Sequence, residues 1–272
     1  MLDSGLTRPD AVVLSIAGSD PSGGAGLQAD LKTFHHFGVY GMAVPTLITV
    51  QNTTGIESST HLSPSLVQAQ LDSIQRDIPP IAAKTGALGD PATVSVVANW
   101  ARASDVPVIV DPVMASTHGD TLATEKIIDA IVAELLPKCF LVTPNLPEAA
   151  TLSGIQIKDQ RDMRRAAERI GKMGARRVLV TGGHLDSDPI DLLWADGFVL
   201  TFPAERILSR QTHGTGCVLS AAITAMVALD HTLIDAVEHA KCFVTEAIRT
   251  APGLGRGQGP LNLHAPTDFG PE

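Results

Sequence analysis

The chain has 272 residues, 44% of them hydrophobic and only 4% aromatic, and a formal net charge of −9. That length holds one large α/β domain or two small ones. The acidic balance leaves no basic footprint for a nucleic-acid partner, and no run of about 18 apolar residues is present to span a membrane. The apolar mass is mostly Ala, Val, Leu and Ile, which suits helices packed on a parallel sheet. Three cysteines, Cys139, Cys217 and Cys242, are too few and too odd for a disulfide framework. The first residues carry acidic and polar groups rather than an apolar signal core, so a reduced, cytoplasmic protein is expected.

In chain order, an extension (1–10) precedes "AVVLSIAG" (11–18), a buried strand by its continuous apolar run. A turn-rich loop, "SDPSGGAG", leads to a helix over 27–37, with Leu27, Leu31, Phe34 and Phe37 at helical spacing and Gly38 as the stop. A strand follows at 42–50, where Pro45 argues for an irregularity or an edge. The helix at 63–77 opens with Ser63 as N-cap and Pro64 at its first position. Alternation continues with strands at 81–88, 107–113, 139–145 and 176–183. Helices are expected at 90–103, 123–136, 146–154 and 160–174. A hairpin at 189–203 turns at Asp196-Gly197. Two helices run from about 215 to 250, and a Gly/Pro-rich tail covers 252–272. Repeated βαβα predicts a three-layer α/β sandwich in one domain, a mostly parallel central sheet flanked by helices.

Ligands of such sheets sit beyond the carboxyl ends of the strands. The chemistry is therefore expected in the loops 18–26, 51–55, 84–89, 111–120, 143–148, 181–186 and 210–217. No G-x-x-x-x-G-K-[ST] occurs, and no G-x-G-x-x-G follows the first strand. The remaining phosphate device is "THGTGCVLSAA", where Gly214 and Gly216 open a helix whose free amides and dipole attract anions. The same residues also suit a tight turn before a buried helix. Asp111 ends a strand ahead of a proline, as an Asp capping that turn would. Asn145 and Glu148, three residues apart, suit either Mg²⁺ binding or helix capping.

Together "AGSDPSGGAGLQADLKTF", "DPVM", "TPNLPEA", "GGH" and "THGTGCVLSAA", in this order, resemble the hydroxymethylpyrimidine/phosphomethylpyrimidine kinases of thiamine biosynthesis, from about residue 12 to "GRGQGPLN". The resemblance implies a ribokinase-like fold. It also implies ATP-dependent phosphorylation of the hydroxymethyl group of an aminopyrimidine, followed by a second transfer giving the pyrophosphate. Relatives that phosphorylate pyridoxal or pyridoxine are the alternative, and a non-catalytic pyrimidine-binding module is a third reading. On the pyrimidine side it implies Asp20, Gly24, Gln51 and Ala87. Asp111, Asn145 and Glu148 would surround Mg²⁺ and the ATP phosphates, with Asp111 and Glu148 holding the ion directly or through water. Thr181 to His184 and Lys241 would lie near the nucleotide, residues 114–120 would form a lid, and a homodimer is expected.

The same resemblance makes Gly214, Thr215 and Gly216 an anion hole. It makes Cys217 the base for the substrate hydroxyl, with His213 as an assistant, where the wider fold uses an aspartate. A helix N-terminus is expected to lower the Cys217 thiol pKa. Three departures stand out. Ala87 replaces a methionine, the lid "ASTHGD" lacks a lysine that His118 replaces only in part, and Thr181 stands where lysine is common.

Overall fold

The structure, a computed structural model, describes residues 11–116, 119–183 and 189–266. Its strands are β1 (Val12–Ser19), β2 (Tyr40–Asn52), β3 (Gly55–His61), β4 (Ala82–Thr85), β5 (Val108–Val110), β6 (Leu141–Val142), β7 (Arg177–Val180), β8 (Ile190–Ala195) and β9 (Phe198–Pro203). Among the described residues they form one sheet in the order β3-β2-β1-β4-β5-β6-β7-β8-β9. From β2 to β7 every pairing is parallel, and an antiparallel hairpin closes each edge.

The helices are α1 (Gly26–His36), α2 (Pro64–Asp77), α3 (Pro91–Ser104), α4 (Glu125–Ala130), α5 (Leu146–Ser153), α6 (Gln160–Gly171), α7 (Thr215–Ala228) and α8 (Leu233–Arg249). The central strands are buried on both faces, which is why they read as continuous apolar runs. Val108 and Val110 of β5 pack with α2 to α6, whereas Ile109 between them packs with α7 and α8. Helix α7 lies against β4, β1 and β5 and also touches α1 and α8, so it is apolar nearly all round. Its N-terminus therefore stands at the middle of the sheet.

Local chemistry explains the element ends. Ser63 and Asp90 cap α2 and α3, each followed by a proline at the first helical position. Helix α4 is shorter than expected; it runs on into a π turn (Ile131–Leu135) and a 3₁₀ turn (Leu136–Lys138) containing Pro137, which cannot continue an α-helix. The β8–β9 hairpin turns at Asp196 and Gly197, both at positive φ (48° and 89°), the geometry that suits a two-residue loop.

One expectation needs correction. Residues 51–55 are not a loop after a strand: β2 continues to Asn52 and turns into β3. β3 escapes detection because "GIESSTH" is almost wholly polar, lies at the sheet edge and stays exposed, leaving no apolar alternation to read. Pro45 does mark an irregularity, since the β1–β2 register slips between Ala17 and Ser19. The tail, as far as it is described, packs down: Leu261, Leu263 and Ala265 are buried with α7 and α8. Among the described residues no helix is long and apolar enough to cross a membrane.

Candidate active site

A cavity of about 850 Å³ runs along the carboxyl edge of the sheet, from the β1, β2 and β4 loops past the start of α7 to the β6, β7 and β8 loops. It draws in Asp20, Gln51 and Ala87 at one side, and Asn145, Glu148, Thr181 and Lys241 at the other. Asp111 and residues 213–217 lie between them.

On the first side Asp20 braces its own loop. Its carboxylate accepts from the Ser22 and Ala25 amides, each at 2.9 Å, and from Nε2 of His213 at 2.8 Å. A carboxylate only accepts, so Nε2 carries the proton in that bond. Burial by itself would raise the Asp20 carboxyl, but the bonds from His213 and Ser22 outweigh it and hold it below the usual carboxylate range. The Gln51 amide nitrogen lies 3.4 Å from the same imidazole nitrogen, and its oxygen accepts from the Thr49 hydroxyl at 3.1 Å. Gly24 is not on the cavity wall. It sits behind His213, where a Cβ would stand 2.6 Å from the ring. Opposite Ala87, across Gly18, stands Leu47, whose Cδ1 a Gly18 Cβ would meet at 2.8 Å. The slot beside Ala87 is thus walled by Leu47, a residue that sequence reading passed over.

At the centre, Gly214 is the N-cap of α7, with φ 79° and no side-chain cap. A Cβ there would stand 1.9 Å from the Gly24 carbonyl oxygen, so only glycine lets the two loops meet. The Thr215 amide donates to the Thr212 carbonyl at 3.3 Å, and the amides of Gly216 and Cys217 follow it next to the cavity. Cys217 lines it too. The expected lowering of its pKa is not found. Burial pushes the thiol up to about 12, and the charges of Asp111 and Asp30 add to this, against the pull of Lys84. Desolvation of a thiolate outweighs the helix end here.

Beyond α7, Asp111 accepts from the Ser220 hydroxyl at 3.1 Å. Burial raises its carboxyl to about 6, although Lys84 draws it down. Asn145 and Glu148 form a reciprocal capping box on α5: each side chain accepts from the other's amide at 2.9 Å. Glu148 also accepts from the Met114 amide at 3.3 Å, at the start of the expected lid. Burial, then the charge on Asp111, raises its carboxyl to about 8. Lys241 is buried rather than solvated and pairs with Asp191 at 2.7 Å; Asp191 in turn accepts from the Gly182 amide. Thr181 bridges to Asn145 through the backbone. His118 and His184 lie outside the described residues.

Among the described residues no three His, Cys, Asp or Glu side chains are grouped to enclose an ion. Two buried carboxylates that repel each other beside a cavity nonetheless fit a cation that takes its other ligands from phosphates and water. Sequence reading missed Asp191, Ser220, Asp30 and Lys84. The last had one signal, a lysine inside the apolar run "IAAKTGAL".

A glycine-opened helix meeting paired carboxylates at the carboxyl edge of a mainly parallel sheet is the site of a ribokinase-like phosphotransferase. The sequence matches the family described as "Phosphomethylpyrimidine kinase" over residues 20–262, and the chain belongs to that family. It is 46% identical over 256 residues to the hydroxymethylpyrimidine/phosphomethylpyrimidine kinase of Rhizobium meliloti (strain 1021), covering 93% of this chain and 96% of that protein. It is 43% identical to the thiamine biosynthesis bifunctional protein ThiED of Geobacter sulfurreducens, of which it spans only 52%. The solved pyridoxal kinase of Staphylococcus aureus in complex with AMP-PCP superposes with a TM-score of 0.88 at 35% identity, covering 95% of each chain.

Proposed function

We propose that the chain transfers phosphate from ATP to 4-amino-5-hydroxymethyl-2-methylpyrimidine, and then to the resulting monophosphate, in thiamine biosynthesis. One observation carries the reading: a single cavity joins the Gln51–Ala87 slot, the open start of α7 and the Asp111–Glu148 pair. The slot holds the flat ring, with the Gln51 amide as its oriented polar group. The amides of Gly216 and Cys217 stabilise charge on the transferring phosphoryl group. Asp111 and Glu148 hold Mg²⁺, which when bound neutralises phosphate charge. Lys241 and Thr181 border the nucleotide phosphates. Cys217 takes the proton of the substrate hydroxyl only after its own thiol proton has left, the thiolate being favoured by Lys84 against burial, and His213, tied to Asp20, keeps the Gln51 side in register.

The test is ADP release by the purified chain with the pyrimidine, with its monophosphate and with pyridoxal. Turnover of both pyrimidines with the higher kcat/KM is the expected result; a preference for pyridoxal would install the second reading. That reading draws on the pyridoxal kinase likeness and on the room left by Ala87. A homodimer belongs to the proposal, supported by Ile48 and Val50 of β2, about half exposed near the β3 edge. Sedimentation would check it. A cytoplasmic location goes with a working thiol, which reducing surroundings protect, and cell fractionation would check that.

A further inference from the structure

Beneath the open end of α7 lies a charge pair that no step above uses. Lys84 of β4 and Asp30 of α1 are both fully inaccessible, with Nζ 2.8 Å from Oδ1. The Ser15 hydroxyl donates to the other Asp30 oxygen at 2.6 Å. The remaining reach of the ammonium is to the Cys217 carbonyl oxygen, at 3.4 Å. The same carbonyl accepts from Ser220, whose hydroxyl also meets Asp111. A buried ion pair is poor value for stability, because desolvating two charges offsets their attraction and an apolar pair of like volume does as well or better. Both side chains of this pair are wholly out of solvent, so stability alone gives no reason for it. Its orientation does give one. The ammonium end touches the first turn of α7 while the carboxylate end points back to α1.

We propose that Lys84 is a positioning residue of the phosphoryl-transfer site. Its ammonium, clamped by Asp30 and Ser15, holds the first turn of α7 by the Cys217 carbonyl. It also sets the positive end of a buried dipole behind the Gly216 and Cys217 amides. Charge gathering on the transferring group then meets two aligned sources of positive potential, the helix end and the ammonium beneath it. Burial alone would lower Lys84, but Asp30 outweighs it and keeps the ammonium charged well above the usual lysine range. Lys84 is also the main attractive charge at both Cys217 and Asp111.

The proposal rests on the kinase reading, and the experiment separates the two. Lys84→Met alone strands a buried carboxylate and lowers stability whatever the role of the lysine. The informative variant is K84Q/D30N, a neutral, hydrogen-bonding pair of nearly the same shape. Thermal melting should return close to the parent. At the same time kcat should stay down on the order of 100-fold, the scale of losing one transition-state donor, with KM for the pyrimidine changed less than about threefold. Parental kcat in the melted-back variant overturns the proposal, as does a loss confined to KM. Should that variant not fold, K84R decides. It keeps the charge, so kcat within about tenfold of the parent supports the role, and a loss as deep as that of K84M overturns it. A parent chain that releases no ADP with either substrate class overturns the kinase reading and this proposal together.

Discussion

Of the helices that begin at the cavity, α5 and α7 finish their first turns in opposite ways. α5 is closed by its own side chains: Asn145 and Glu148 satisfy each other's amides in a capping box. α7 begins at a left-handed glycine with no side chain to cap it. A capped end has spent its donors, whereas at the α7 end only the Thr215 amide is spent, on the Thr212 carbonyl, and those of Gly216 and Cys217 are kept for a ligand. The difference assigns the work. On the proposed reading the α5 end would contribute a carboxylate and a rigid turn, and the α7 end would contribute donors for phosphate. Burial differs to match. The Glu148 carboxyl is raised beside Asp111, a pairing that a bound cation would relieve, while under α7 the charge behind the turn is the cationic Lys84.

The comparison can be broken most sharply at Gly214. Gly214→Ala drives a Cβ into the Gly24 carbonyl and forces a residue that disfavours positive φ. The expected result is a kcat loss on the order of 100-fold or more, with weakened ADP binding by calorimetry. Retained ADP affinity and turnover would show that the open end is not the phosphate cradle. Cys217→Ala comes next. It should lower kcat by about 100-fold, the low end for removing a general base, with substrate KM nearly unchanged. Unaltered kcat would retire Cys217 as the base, an outcome made more pointed by a thiol that burial keeps protonated.

At the other helix, Asn145→Ala removes a cap and should cost about 1 kcal/mol of stability, read by urea unfolding. Its effect on kcat should be smaller than that of Gly214→Ala. The reverse order would mean the two helix ends have been assigned the wrong way round. The smallest effect concerns Asp20. Its carboxyl is lowered in the folded chain from 3.8, so the folded state binds its proton less readily than the unfolded state does. The stability this gives is present above the unfolded pKa and is lost as pH falls through the folded one. Asp20→Asn should therefore flatten the fall in melting temperature below about pH 4. An unchanged acid limb would show that the Asp20–His213 bond adds nothing.

Much of this was legible in the chain. Apolar runs ending in glycine or proline placed the inner strands, because parallel strands buried on both faces leave no polar alternation. The caps Ser63, Asp90 and Asn145 were legible because capping is chemistry within four residues. β3 was not legible, since an exposed edge strand is held by backbone pairing rather than by apolar side chains. Lys241 was placed near the nucleotide by resemblance and Lys84 passed for an ordinary lysine, but the ion pair of neither was legible, because their carboxylate partners, Asp191 and Asp30, lie 50 and 54 residues away along the chain.

The chain by itself determined the alternation of elements, the glycines at the start of α7 and the residues gathered at the strand ends. All of these follow from local conformational preference and hydrophobic pattern. Only the tertiary structure decided the electrostatics. The helix end alone predicted a lowered thiol at Cys217, and the fold raised it instead by burying the sulfur near two carboxylates. The fold also set a lysine from a distant strand beneath it. Desolvation and Coulomb energy depend on distances in space, and spacing along the chain does not contain them.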